Sequence, residues 1–268
     1  MPELPEVASR AQEMNAALPG KIITGIEVLQ PKCLNIPVEE FTRALTGAAI
    51  EEVSYRGKWI LNRTSKGWLL LNMGMGGEIL LTNRQGLPEK YRLIFDFSDE
   101  TCLAVNFWWF GYAHFAALDA LDSHAPTAKL GQNALQVTPE DLTRLFQGQR
   151  GKVKMLLLDQ SRISGIGNAY IHDMLFMARI HPLRPANSLT PDEICALVNG
   201  IQKGLRPSLE QGGAFYEKTL DGKNGGFTVD QIMIGYRENQ PCPVCGSPIQ
   251  KIKTGSTSSF ICPTCQQL

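Results

Sequence analysis

The period of the apolar positions changes part-way along the chain. Residues 22–29 alternate apolar and polar side chains and are rich in β-branched types, the pattern of a half-buried strand. Residues 51–62, 67–72, 78–82, 91–97 and 101–107 are further short strands, separated by Gly, Asn or Asp. Before them, 4–18 carries a helical pattern closed by Pro19-Gly20. Past about residue 125 the spacing becomes helical. Thr138-Pro-Glu-Asp opens one helix over 138–146 and Thr190-Pro-Asp-Glu another over 190–212, each with a capping hydroxyl and Pro in the first turn. Between them lie helical stretches at 152–159 and 170–178, joined by the compact turn Ser164-Gly-Ile-Gly-Asn168. Residues 212–226 hold five glycines and predict a mobile loop. The expectation is an α+β protein: a β-sandwich or barrel over 1–124, a helical domain over 125–235 and a small C-terminal module over 236–268.

Cysteines define that module. Four of the seven stand as two C-P-x-C pairs with 16 residues between them, Cys242 and Cys245, then Cys262 and Cys265. Paired thiolates at this spacing grip a tetrahedral ion from two sides, and four of them leave no open position. The prediction is one structural Zn2+ and no metal chemistry. So small a module needs the ion to fold. The intervening residues 246–250 and 258–261 are expected to be the arms of a β-hairpin. Cys33, Cys102 and Cys195 are scattered and are expected to be buried as small hydrophobes.

Composition adds less. Twenty-six bases balance 26 acids, which argues mildly against a nucleic-acid partner. The balance is uneven, though: 13 Lys+Arg against 17 Asp+Glu over 1–149, and 13 against 9 over 150–268. No apolar run is long enough to cross a membrane, and the start lacks the pattern of a signal peptide, so a cytoplasmic protein is expected.

The start itself carries candidate chemistry. Met1 precedes Pro2, and methionine is normally removed before so small a residue. Pro2 would then present a secondary amine. An α-amino group titrates near 7.7–8, about 2.5 units below lysine, and is partly nucleophilic at neutral pH. Attack on an aldehyde-level carbon gives an iminium ion, an electron sink, with Glu3 beside it to shuttle protons.

Met1-Pro-Glu-Leu-Pro-Glu-Val7 resembles the opening of the formamidopyrimidine-DNA glycosylase and endonuclease VIII family of base-excision repair enzymes. Arg56-Gly-Lys-Trp59, Asn72-Met-Gly-Met-Gly-Gly77, Gly165-Ile-Gly-Asn-Ala-Tyr170, the Gly212-Gly213 loop and the finger continue the likeness along the whole chain, in order. The resemblance implies a two-layered β-sandwich, a domain with a helix–two-turn–helix motif and a zinc-finger hairpin, with DNA held between them. It implies a monomeric DNA glycosylase and AP lyase of the bacterial cytoplasm or nucleoid, acting on oxidised or ring-opened bases in damaged DNA, double- or single-stranded. Pro2 would form the Schiff base, and Glu3 and Lys58 would manage protons and charge. Lys154 and Asn168 would hold phosphates, and Met75 would fill the space left by the flipped base.

Two positions depart from the family pattern. Asn106-Phe-Trp-Trp-Phe-Gly111 stands where the family has Asp-Pro-Arg-Arg-Phe-Gly, so Trp109 takes an arginine's place beside Phe110. Thr257 stands five residues before the third cysteine, where the family places a phosphate-gripping arginine. An indole stacks on a base and a hydroxyl makes one neutral hydrogen bond; neither replaces a bidentate cation. Altered lesion or strand preference follows as an expectation. The alternative is a damaged-DNA binding protein that has kept the scaffold and lost turnover. A purely structural zinc protein gives no reason for Pro2-Glu3 and the Lys58 turn to occur together.

Overall fold

The computed structural model describes residues 1–268, which fall into two compact units. The first comprises Met1–Lys129 and Ser208–Phe227, the second Leu130–Pro207 and Thr228–Leu268.

The first unit opens with α1 (Leu4–Ala17), followed by β1 (Ile23–Val28), α2 (Val38–Leu45), β2 (Ile50–Arg56), β3 (Trp59–Thr64), β4 (Gly67–Asn72), β5 (Glu78–Asn83), β6 (Leu93–Phe97), β7 (Thr101–Asn106), β8 (Tyr112–Ala116) and the short α3 (Ala125–Ala128). The strands form two four-stranded antiparallel sheets, ordered β1-β6-β7-β5 and β2-β3-β4-β8. Alternation along the strands sends Phe95, Leu103 and Val105 of one sheet and Ile60, Leu69 and Leu71 of the other into one core. Val7, Ala11 and Met14 of α1 and Phe41 and Leu45 of α2 complete it. The sandwich expected of the first half is therefore present. Residues 51–62 are two antiparallel strands rather than one, because Gly57 turns the chain at φ +58°. α2 and β8 were not expected.

In the second unit, two-residue strands β9 (Gln132–Asn133) and β10 (Ile163–Ser164) pair in parallel. The helices are α4 (Pro139–Phe146), α5 (Val153–Leu158), α6 (Ile171–Met177) and α7 (Pro191–Glu210), the last continuing into the first unit at Ser208. Gln160 staples the turn between α5 and α6: its side chain donates to the carbonyls of Leu158 and Ile166 and accepts from the N–H of Gly165. α6 and α7 pack at backbone distance, since a side chain at Gly200 would meet the Met174 carbonyl at 2.4 Å.

The finger ends in a hairpin of β11 (Gln250–Thr254) and β12 (Thr257–Ile261) around Gly255-Ser256, with Gly255 at φ +64°. Its first arm begins later than expected. Residues 246–249 belong instead to the cysteine turn, where Gly246 N–H bonds the Cys242 carbonyl and Cys242 N–H the Ser247 carbonyl. Cys33 and Cys102 are buried, but Cys195 is exposed on α7, contrary to expectation. No helix is long and apolar enough to cross a membrane.

Candidate active site and nucleic-acid interface

The head of α1 concentrates charge in the first unit. Pro2 and Glu3 are buried immediately before the helix, and Pro5 and Glu6 occupy its first turn. The Glu6 carboxylate reaches back to the Glu3 N–H at 2.8 Å, satisfying a donor that the helix start leaves unpaired. Its other oxygen accepts from Ala214 N–H at 3.2 Å and from the Ser208 hydroxyl at 3.4 Å. Lys58 sits on the β2–β3 turn, and its carbonyl is held by the Asn72 side chain at 2.9 Å. Burial pushes the Lys58 ammonium below the ordinary lysine range, and Glu3 and Glu6 pull it back up. The turn thus delivers a desolvated lysine to the two carboxylates that flank Pro2.

Sequence reasoning missed the loop's contribution to this site. Glu13 pairs with the buried Arg10, and its carboxylate accepts from Leu220 N–H at 2.6 Å. Glu6 and Glu13, seven residues apart and thus two turns along one face of α1, tie down both ends of 214–220. Between those ties lies Glu217. Burial and the Glu6 carboxylate raise its pKa to about 7, while the N-terminal amine and Arg10 act in the opposite sense. The only hint in the sequence was an acid inside a glycine-rich segment.

Lys58 is also joined to an exposed apolar ridge. The Asn72 side chain that holds the Lys58 carbonyl accepts the Gly74 N–H at 3.0 Å. From there Met75 N–H bonds the Trp109 carbonyl at 2.8 Å and Trp108 N–H the Met75 carbonyl at 2.9 Å. Met75 is 45% exposed, Trp108 67%, Trp109 64% and Phe110 66%, so neither indole has turned into the core. Trp108, which the sequence reading did not single out, is as exposed as Trp109.

In the second unit the expected phosphate ligands sit around the hairpin. Lys154 is fully buried on α5, and its Nζ donates to the Ser258 carbonyl at 2.6 Å and the Ser259 hydroxyl at 2.9 Å. His172 Nδ1 accepts the Phe260 N–H at 3.3 Å, and burial together with Lys154 drives its pKa down to about 3. The Asp173 carboxylate accepts the N–H groups of Met233, Ile234 and Gly235 at 2.7–3.0 Å. Asn168 closes the two-turn loop. Its carbonyl accepts the Tyr236 hydroxyl at 3.3 Å, and its side-chain oxygen is buried without a partner. The Thr257 hydroxyl folds back onto the Thr254 carbonyl at 3.2 Å. Lys251 and Lys253 pair across the hairpin with Phe260 and Ser258, and Thr257 with Thr254, so the lysines share one face and Thr257 lies on the other.

Cys242, Cys245, Cys262 and Cys265 bring four sulfurs within 4.8 Å of one another. A tetrahedron with metal–sulfur bonds of about 2.3 Å has edges of about 3.8 Å, so the set fits zinc. These thiolates hold one structural zinc ion.

Three family models match the chain in order: the formamidopyrimidine-DNA glycosylase N-terminal domain over residues 1–106, its H2TH domain over 130–219, and the zinc finger found in FPG and IleRS over 239–268. The formamidopyrimidine-DNA glycosylase of Pelotomaculum thermopropionicum is 36% identical over 275 residues, covering 100% of both chains. That of Roseiflexus sp. is 36% identical over 282 residues, again covering 100% of both. Among solved structures, the Lactococcus lactis enzyme in complex with DNA containing N7-benzyl-Fapy-dG superposes with a TM-score of 0.92 at 26% identity, covering 100% of each chain. Its complex with DNA containing an abasic site gives 0.91 at 26% identity. With the half-buried Lys58 acted on by the buried Glu3 and Glu6 and the four-thiolate finger both present, the chain belongs to the formamidopyrimidine-DNA glycosylase family.

Proposed function

We propose that this base-excision-repair DNA glycosylase acts through the secondary amine of Pro2, freed by removal of Met1. The observation that supports this most is the placement of Lys58 among the carboxylates that flank Pro2 at the head of α1. The Pro2 nitrogen attacks C1′ of a nucleoside bearing an oxidised or ring-opened base. The glycosidic bond breaks, its electron pair leaves with the base, and the base takes up a proton. The amine sheds its own proton, and the C1′–O4′ bond then opens, its electron pair and a proton going to O4′, which leaves the iminium at C1′. Glu3 lies next to the nucleophile and serves as the proton carrier. Lys58, its ammonium weakened by burial, exchanges protons closer to neutrality than an ordinary lysine and balances charge as the iminium forms. The iminium then acidifies the neighbouring C2′ proton, and elimination of the 3′-phosphate nicks the strand, the AP lyase step typical of the family.

Met75, Trp109 and Phe110 face the bases, and Asn168 offers its amide to phosphate. Lys154 positions the hairpin, since its Nζ is engaged with β12. Thr257 adds at most one neutral contact. The partner is damaged DNA, engaged by a monomer, in the bacterial cytoplasm or nucleoid.

Reduction with borohydride in the presence of abasic-site DNA tests the nucleophile. Protein shown by N-terminal mass analysis to begin at Pro2 is expected to give a covalent adduct. The adduct disappears in Pro2→Gly and persists in Lys58→Ala. Absence of any adduct from the processed wild-type protein favours a damaged-DNA binding protein without turnover.

A further inference from the structure

The ridge of Met75, Trp108, Trp109 and Phe110 is built to stay exposed. Phe110 adopts φ +57°, a left-handed conformation that bulky side chains rarely adopt. The backbone beneath leaves no room to relax. A side chain at Gly74 would meet the Trp109 carbonyl at 2.3 Å, and one at Gly111 would meet the Phe107 ring at 2.0 Å. The two segments are cross-linked by the Met75–Trp109 bridge, and Asn72 ties the whole to the Lys58 turn. Three neighbouring aromatic side chains, each about two-thirds exposed, are thus fixed in register with the reaction centre.

The surroundings say what the ridge takes. No Lys or Arg occurs anywhere in residues 67–83 or 101–128, the two stretches that carry it. Phosphates therefore have no partner on the ridge, and neither does a base edge that needs a guanidinium fork. Beside Trp108, Lys90 and Arg92 line a recess together with Glu89, so that cations outnumber the acid there, and Arg92 donates to the Phe107 carbonyl at 3.4 Å. Aromatic faces beside a basic flank are the arrangement that holds single strands, bases on the rings and backbone along the cations. Stacking needs an unpaired base but does not ask which one.

We propose that Trp108, Trp109 and Phe110, with Met75, form a stacking platform for unpaired bases, so that the enzyme engages lesions in single-stranded DNA and is indifferent to the base opposite a lesion in a duplex. This rests on the glycosylase reading given above.

The test uses the processed full-length protein and an oligonucleotide with one abasic site, either single-stranded or paired opposite each of the four bases. Binding is read from indole fluorescence and nicking from single-turnover kinetics. Wild-type protein is expected to nick the single strand within about tenfold of the duplex rate, with little dependence on the opposite base. Trp108→Ala/Trp109→Ala should weaken single-strand binding by roughly 5- to 100-fold, the scale of one or two lost base stacks, and weaken duplex binding less. Trp109→Arg should introduce a preference among opposite bases. Equal losses on both substrates, or wild-type nicking confined to duplex, would overturn the proposal. So would a dimer in light scattering that the same substitutions dissolve, because the ridge would then be covered by a second copy. Failure to trap an adduct on either substrate would instead strike the glycosylase reading itself.

Discussion

Two lysines are desolvated in this molecule, Lys58 partly in the first unit and Lys154 fully in the second, and their neighbours differ. Lys58 has carboxylates beside it: Glu3 and Glu6 offset the desolvation of its ammonium without abolishing it. Lys154 has a carbonyl and a hydroxyl at 2.6 and 2.9 Å, neutral acceptors that fix its position. A lysine shifted by burial against acids is poised to exchange protons. A lysine bonded at short range to a hairpin backbone is a structural post. Burial alone does not tell them apart; the chemistry of the partner does. The same contrast runs through the carboxylates. Burial raises both: Glu217, in the loop that Glu6 and Glu13 pin, goes to about 7, and Asp173 also rises, but three backbone donors pull Asp173 back and make it an anchor.

Replacing each lysine by methionine should break the comparison open. Lys58→Met is expected to lower turnover by about 10²–10⁴-fold, the usual scale of a lost acid–base group, with folding stability little changed because a desolvated charge goes with it. Lys154→Met should do the reverse. The Ser258 carbonyl and Ser259 hydroxyl lose their donor in a buried setting, at a cost of about 1–3 kcal/mol. Urea unfolding beside single-turnover kinetics separates the two. If Lys154→Met unfolds like wild type, the lysine is not a structural post.

The loop carboxylate gives a smaller, pH-dependent effect. Glu217 has an ordinary value of 4.5 and rises to about 7 on folding, so between those limits the folded state holds more protons than the unfolded one. Its contribution to stability is fully present below about 4.5 and is lost as pH climbs through about 7. Glu6, Glu78, Arg10 and the terminal amine all act on it. Glu217→Gln is expected to flatten the stability profile between pH 4.5 and 7, as read by thermal unfolding across that range. A profile identical to wild type would remove Glu217 from the pocket's proton balance.

The smallest effect concerns the hairpin. Thr257→Arg adds a cation to the face that Lys251 and Lys253 do not share. If that face meets phosphate, the slope of log affinity against log salt steepens by about 0.9 for each additional phosphate neutralised. An unchanged slope places β12 away from the DNA backbone.

Much of this was legible in the sequence, for local reasons. Cysteine spacing encodes the metal site, because ligand geometry is satisfied within a few residues of chain. The helices opened by Thr138 and Thr190 follow from capping chemistry, and the strands from alternation. Lys58 and Pro2 were visible through motif likeness. The hairpin's register was not, because Gly246 to Ile249 are drawn into the cysteine turn, which competes with the ladder for the same backbone groups. Cys195, read as buried, points outward because α7 presents other faces to its neighbours.

By itself, then, the sequence determined the elements, the four thiolates and the candidate groups proposed for the reaction centre, since each depends on residues close together in the chain. Tertiary structure decided what the charged groups do. Glu6 meets Ala214, Glu13 meets Leu220, and Lys154 meets Ser258 more than a hundred positions away. A side chain's protonation and partners depend on what burial brings to it from distant segments. That is why a lysine expected at a phosphate also holds a hairpin, and why a glutamate in a glycine-rich loop is drawn into the proton balance of the pocket.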